Sequence, residues 1–112
     1  MRHPAILATL LLSSAAWTAP DQVEVFRAGE GGYHTYRIPA LITTPKGTLL
    51  AFCEGRRNSA SDTGDIDVLL RRSFDGGKTW APMQKLADMG EDTIGNPAPV
   101  FERKTEIGRA HV

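Results

Sequence analysis

The chain reads as all-β: between Tyr36 and Val100 no run has helical period, short apolar and β-branched stretches recur, and turn residues separate them. Tyr36 to Thr43 is apolar and β-branched, Pro45-Lys46-Gly47 supplies a Pro-led turn ending in Gly, and Thr48 to Glu54 follows as a second strand. The pair makes a hairpin. After a polar loop from Gly55 to Asp65, the run Ile66-Asp67-Val68-Leu69-Leu70-Arg71-Arg72 alternates so that Ile66, Val68 and Leu70 share one face of a third strand. Asp75-Gly76-Gly77 is a tight turn of residues that tolerate positive φ, and a fourth short strand is expected from about Thr79 to Leu86. Four consecutive antiparallel strands make one meander sheet. Its third strand tolerates charge on one face only, so the other needs a covering sheet that the rest of the chain is too short to supply. A sheet stacked among similar sheets, as in a propeller, meets that need.

The chain has 112 residues, which allows at most one small domain. Thirteen Lys and Arg stand against 13 Asp and Glu, for a formal net charge of +0. A nucleic acid or an anionic membrane surface would need a basic patch to displace counterions, so neither is expected as a partner. One Cys excludes an internal disulfide and an all-Cys zinc site, and His3, His34 and His111 are too scattered to form a ligand pair. No protein-encoded metal site and no cofactor are expected. Gly29-Glu30-Gly31-Gly32 is a turn and not a phosphate loop, since no helix start or Lys-Ser/Thr pair follows it. Cys53 is expected to pack as a small apolar side chain on the second strand.

Both ends stand apart from this pattern. Met1-Arg2-His3 carries positive charge into the apolar run Ala5 to Leu12, followed by Ser13-Ser14-Ala15-Ala16, the layout of a secretory signal peptide. Cleavage is expected after Ala16, which makes 1–16 the signal peptide and the mature chain exported. The apolar run is shorter than the ~20 residues of a membrane span, so none is expected in the mature chain. At the other end, Glu106 to Val112 has no pattern of its own and matches the translation of a widely used sequencing-adapter start. It is expected to be an artefact, which leaves residues 17–105 as native sequence from the front of a longer protein.

Three segments together resemble the sialidase (neuraminidase) family. Tyr36-Arg37-Ile38-Pro39-Ala40-Leu41 is similar to its arginine-isoleucine-proline motif. Ser73-Phe74-Asp75-Gly76-Gly77-Lys78-Thr79-Trp80 fits the Asp-box pattern Ser-x-Asp-x-Gly-x-Thr-Trp at every fixed position. Gly55-Arg56, followed by Ser61-Asp62-Thr63-Gly64-Asp65-Ile66-Asp67, has the spacing of bacterial members. The Asp box recurs in unrelated propellers and is weak alone; the three in this order are specific, and the resemblance covers about Phe26 to Thr105. It implies a six-bladed β-propeller with its active site at one end of the central axis, of which this chain holds about the first blade and the start of the second.

The resemblance also implies roles. Arg37 precedes an apolar strand, where a guanidinium is costly unless an anion pairs with it. It matches the first of three family arginines that grip the carboxylate on the anomeric carbon of sialic acid, a group suited to two parallel charge-assisted hydrogen bonds. Asp62, in the polar loop, is implied as the general acid/base that protonates the leaving glycosidic oxygen and later activates water. Asp65 and Asp67 are its local rivals, Asp67 fitting the strand pattern as a structural residue. Calcium binding by Asp62, Asp65 and Asp67 is disfavoured, because their spacing misses the Asp-x-Asp-x-Asp-Gly loop and its distal Glu. Arg56 matches a second substrate-contacting arginine. Asn96, in Gly95-Asn96-Pro97, aligns with a position that faces the sugar's polar edge, although an Asn before Pro also forms turns for local reasons.

Ser73, Asp75, Gly77, Thr79 and Trp80 are expected to stabilise the blade and touch no substrate. The anomeric carboxylate repels an anionic nucleophile, and the family uses a Tyr activated by a Glu instead. Neither Tyr33 nor Tyr36 sits where that Tyr is found, so it, its Glu and two arginines are expected beyond position 105. The leading expectation is a retaining exo-sialidase acting on sialylated glycoproteins, glycolipids or oligosaccharides. A non-catalytic propeller that binds glycans or proteins, and a trans-sialidase, remain the alternatives.

Overall fold

Strand β1 (Thr35–Thr43) turns through Pro45 and Gly47 into β2 (Leu49–Arg56), and β3 (Ile66–Ser73) and β4 (Gln84–Ala87) follow. The turn closes on the Thr44 backbone and side chain: Thr44 N to Thr48 O and Gly47 N to Thr44 O are both 2.9 Å, and Thr48 N donates to Thr44 Oγ1 at 3.2 Å. In this computed structural model residues 21–102 and the two-residue strand 108–109 are described. The expected signal peptide and most of the 106–112 segment lie outside those residues. The four strands form one sheet in the order β1-β2-β3-β4, each antiparallel to the next. A second, small sheet pairs β5 (Val100–Phe101) with β6 (Gly108–Arg109). Among the described residues there is no helix, and so none long and apolar enough to cross a membrane.

Two boundaries differ from expectation. β2 runs on to Arg56, because Gly55 and Arg56 still find partners on both sides: Tyr36 and Thr35 on β1, Asp67 and Ile66 on β3. Arg56 therefore belongs to a central strand and not to the loop. β4 begins at Gln84 instead of near Thr79. Pro82 has no N–H to donate to a ladder, and Arg71 takes the carbonyls of Trp80 and Ala81 with Nη2 at 3.1 Å and Nε at 2.9 Å.

Directly paired residues of an antiparallel sheet share a face. One face carries Cys53 and its partner Leu69, covered by Tyr33 with half-buried Phe26, Tyr36 and Met83. The segment before β1 thus caps the sheet, a cover with no strand or helix signal in its sequence. That cover lies over Leu69, and Ile66, Val68 and Leu70 are buried on the other face as well, so β3 is buried on both faces from Ile66 to Leu70. The other face holds Phe52, Glu54 and Arg56 of β2 beside their partners Leu70, Val68 and Ile66. Arg37 of β1 lies opposite Glu54 on this face. After β4 the chain returns along β3, where Ile94 N donates to Ile66 O at 3.0 Å.

Candidate active site

Arg37 sits where β1 breaks register. From Arg37 to Ala40 the chain takes three steps while β2 takes two, from Glu54 to Phe52, so β1 carries one extra residue. Ile38 accommodates it at φ 54°, a left-handed conformation that a β-branched side chain rarely adopts. Strain of this kind persists only where its surroundings fix it. Here it follows directly on Arg37.

Asp62 lies in the loop between β2 and β3. The base of that loop is pinned by Arg57 N to Asp65 O at 3.1 Å. Its end is held by Thr93, whose hydroxyl accepts from Gly64 N at 3.0 Å and donates to Gly64 O at 2.9 Å. The Asp62 side chain is 82% exposed, and its Oδ1 is 3.5 Å from Arg37 Nη1 and 2.8 Å from Arg56 Nη1. Strand β1, strand β2 and the loop thus bring two guanidiniums to one carboxylate.

Arg56 is the buried member, its side chain 4% exposed. Its Nη1 also donates to Ala60 O at 2.8 Å. Nε and Nη2 both donate to Oε2 of Glu54, at 3.1 and 2.8 Å. The bonds to Glu54 are the chief cause that raises the Arg56 pKa above the ordinary guanidinium value. Glu54 spends its other oxygen on the backbone of Asn96, whose N–H reaches Oε1 at 2.9 Å. Asn96 is itself left-handed, at φ 54°, and its side chain is exposed. The structure therefore groups Arg37, Arg56 and Asp62 directly and ties Asn96 to them through Glu54. Sequence reasoning did not single out Glu54. Its signal was one acid closing the apolar run Leu49 to Cys53, two residues before Arg56 on the same strand face.

Asp65 and Asp67 have different surroundings. Asp67 alternates with Ile66 and Val68 and so lies on the opposite sheet face from Glu54. Its buried carboxylate accepts from the Tyr33 hydroxyl at 2.6 Å, with Arg57 Nη2 at 3.3 Å and Lys85 Nζ at 3.8 Å. Burial raises the pKa of both Asp67 and Tyr33. Carboxylate oxygens of Asp65, Asp67 and Asp88 lie within 4.8 Å of one another. Arg57 and Lys85 contact this cluster and supply its counter-charge.

The turn after β3 is closed by its own side chains. Asp75 Oδ1 accepts from Ser73 Oγ and from Thr79 N, both at 2.9 Å, and Oδ2 accepts from the Thr79 hydroxyl. Gly77 N donates to Ser73 Oγ at 2.9 Å, and Trp80 Nε1 donates to Gly77 O at 3.1 Å. These bonds use every fixed residue of the motif on the turn itself.

No family model matches the chain. It is 36% identical over 103 residues to an exo-alpha-sialidase of Aspergillus fumigatus, covering 87% of this chain and 24% of that relative. It is 40% identical over 92 residues to a sialidase of Bacteroides fragilis, covering 74% and 17%. Among solved structures the Hadza microbial sialidase Hz136 is similar, with a TM-score of 0.64 at 35% identity over 70% of this chain and 17% of its own. The chain thus spans about a quarter or less of the length of these relatives, and its sheet corresponds to about one blade of a β-propeller. Likeness in sequence to fungal and bacterial sialidases and likeness in fold to a solved one lead to a single conclusion, that this chain belongs to the sialidase family.

Proposed function

We propose that the complete protein carrying this stretch is an exported, retaining exo-alpha-sialidase that releases terminal sialic acid from glycoproteins, glycolipids or oligosaccharides. The observation that carries this reading is the convergence of Arg37, Arg56 and Asp62, with 3.5 and 2.8 Å between the Asp62 carboxylate and the two guanidiniums. Arg37, half-exposed, offers its fork to the carboxylate of the sugar. Asp62, on its exposed loop, protonates the glycosidic oxygen as the bond breaks and then takes a proton from the attacking water. The exposed Asn96 side chain faces the sugar's polar edge. Arg56 has Nε, Nη1 and Nη2 all bonded within the protein, which favours a role in holding Asp62 over direct contact with substrate.

A tyrosine nucleophile is assigned outside the described residues. The Tyr33 hydroxyl is committed to Asp67 and the Tyr36 hydroxyl to the Glu30 carbonyl, so neither is available to attack. The signal-peptide layout of residues 1–16 supports export. The reading is tested by incubating the complete protein with a sialylated oligosaccharide, with and without added lactose. Free sialic acid in both reactions is the expected result. Sialyl transfer to lactose identifies a trans-sialidase, and an intact oligosaccharide that stays bound identifies a non-catalytic propeller.

A further inference from the structure

The sheet face that carries the site contains one acid that no step of the proposed reaction uses. Glu54 is buried beside Val68 and Phe52, a setting that an apolar side chain would fill at no electrostatic cost. A carboxylate there must have every lone pair answered, and the structure answers both oxygens. Oε2 receives Nε and Nη2 of Arg56. Oε1 receives the backbone N–H of Asn96, 42 residues away. The chain also makes room for it: a Cβ at position 95 would stand 2.2 Å from Oε1 and 2.8 Å from Cδ, so only Gly95 lets the loop close on the carboxylate. Three separate features converge on a residue that is almost wholly buried.

We propose that Glu54 is a positioning residue for the acid/base carboxyl of Asp62, acting through Arg56, and that the same carboxylate fixes the Asn96 loop. This rests on the assignment of Asp62 under the proposed function. The argument is geometric. An arginine side chain has many rotamers, and its entropy works against holding one nitrogen in one place. With Nε and Nη2 both clamped by one oxygen, the guanidinium is held in place and the two N–H of Nη1 are aimed at the loop, one at Ala60 O and one at Asp62 Oδ1. The bond to Asp62 Oδ1 is 2.8 Å. Charge points the same way. Arg37 and Arg56 both face Asp62, and Glu54 is the anion that balances Arg56 from beneath. The loop carboxyl is steadied by a donor whose charge is already largely answered.

The test is leaving-group dependence in the complete protein. Loss of a general acid is felt most on a substrate whose leaving group needs protonation, and least on an activated aryl sialoside. Glu54→Gln keeps the volume and one acceptor and removes the charge that clamps Arg56. It is expected to lower kcat/KM on sialyllactose by on the order of 10²-fold, the scale of an error in placing a catalytic group, while sparing most of the rate on 4-nitrophenyl sialoside. Asp62→Ala, measured alongside, should show the same selectivity more strongly.

Selective loss in Asp62→Ala with equal losses on both substrates in Glu54→Gln overturns the inference alone, since a merely structural Glu54 lowers both rates together. No loss in Glu54→Gln overturns it as well. Equal losses on both substrates in Asp62→Ala overturn the acid/base assignment and the inference with it. If Glu54→Gln does not fold, Gly95→Ala is read the same way, because its Cβ displaces the Glu54 carboxylate without changing any charge.

Discussion

Asp62 stands 82% exposed on a guanidinium that is itself only 4% exposed, with Arg56 Nη1 2.8 Å from Asp62 Oδ1. The contact joins a mobile kind of element, a polar loop, to the most securely held one, the central strand β2. Exposure leaves the carboxyl open to solvent, and the buried partner holds it in place. The loop therefore need not be rigid along its length for the Asp62 carboxyl to be placed.

Arg37 gives the first prediction. If it grips the carboxylate of the sugar, Arg37→Ala should lower kcat/KM by roughly ten- to hundredfold, the scale of one charged hydrogen-bonded pair. Both substrate binding and turnover should suffer. Arg37→Lys should restore little, because an ammonium cannot present two parallel donors. Full recovery in the Lys variant, measured on the complete protein, contradicts the fork.

Asp75 predicts a pH dependence of stability. The Thr79 hydroxyl and backbone N–H hold its carboxyl down at about 2, below the value of about 3.9 for an unfolded chain. The folded form binds fewer protons between those values, so the stabilisation is complete above about pH 4 and is lost as the pH falls toward 2. Asp88, held at about 2 by Lys85, acts in the same window, and a comparison with Asp75→Asn separates the two. The Tm gap between wild type and Asp75→Asn should be constant near neutrality and shrink below about pH 4. Sialoside turnover at neutral pH should be unchanged. A gap that does not vary with pH contradicts the account.

Gly55 is required by packing. A Cβ there would meet Leu69 Cδ1 at 2.4 Å and the Tyr33 ring at 2.7 and 2.8 Å. Gly55→Ala should cost about 1–3 kcal/mol, as overpacking a full core does, read as a lower denaturation midpoint. A neutral change would mean that Tyr33 can withdraw and that its cover over β2 is loose.

Cys53 is 1% exposed, and burial pushes its thiol up to about 12. The thiolate is the reactive form, so the folded protein should resist iodoacetamide at neutral pH and react only in denaturant. Rapid labelling of the native protein would contradict the burial of this strand.

The hairpin, the third strand and the turn at Asp75 were legible in the sequence because each depends on neighbours within a few residues. Alternation marks a strand and Gly marks a turn wherever they occur. The start of β4 was not, since the Trp80 and Ala81 carbonyls that a strand would use are taken by Arg71 from β3. Nor was the cover over Cys53 and Leu69, which comes from Phe26 and Tyr33 in a segment without periodicity. In the site, the family resemblance pointed to Arg37, Arg56 and Asp62. Glu54 escaped notice because its role is a matter of partners 2 and 42 residues away, which no local pattern records. The same holds for Ile38, whose φ of 54° is imposed by pairing with β2.

The most direct test of the central claim is to follow the hydrolysis of an unactivated sialoside by the complete protein with proton NMR. Release of sialic acid first as the α-anomer, followed by slow mutarotation to β, is the result that a retaining exo-sialidase gives. First appearance of the β-anomer, or no release at all, would contradict it.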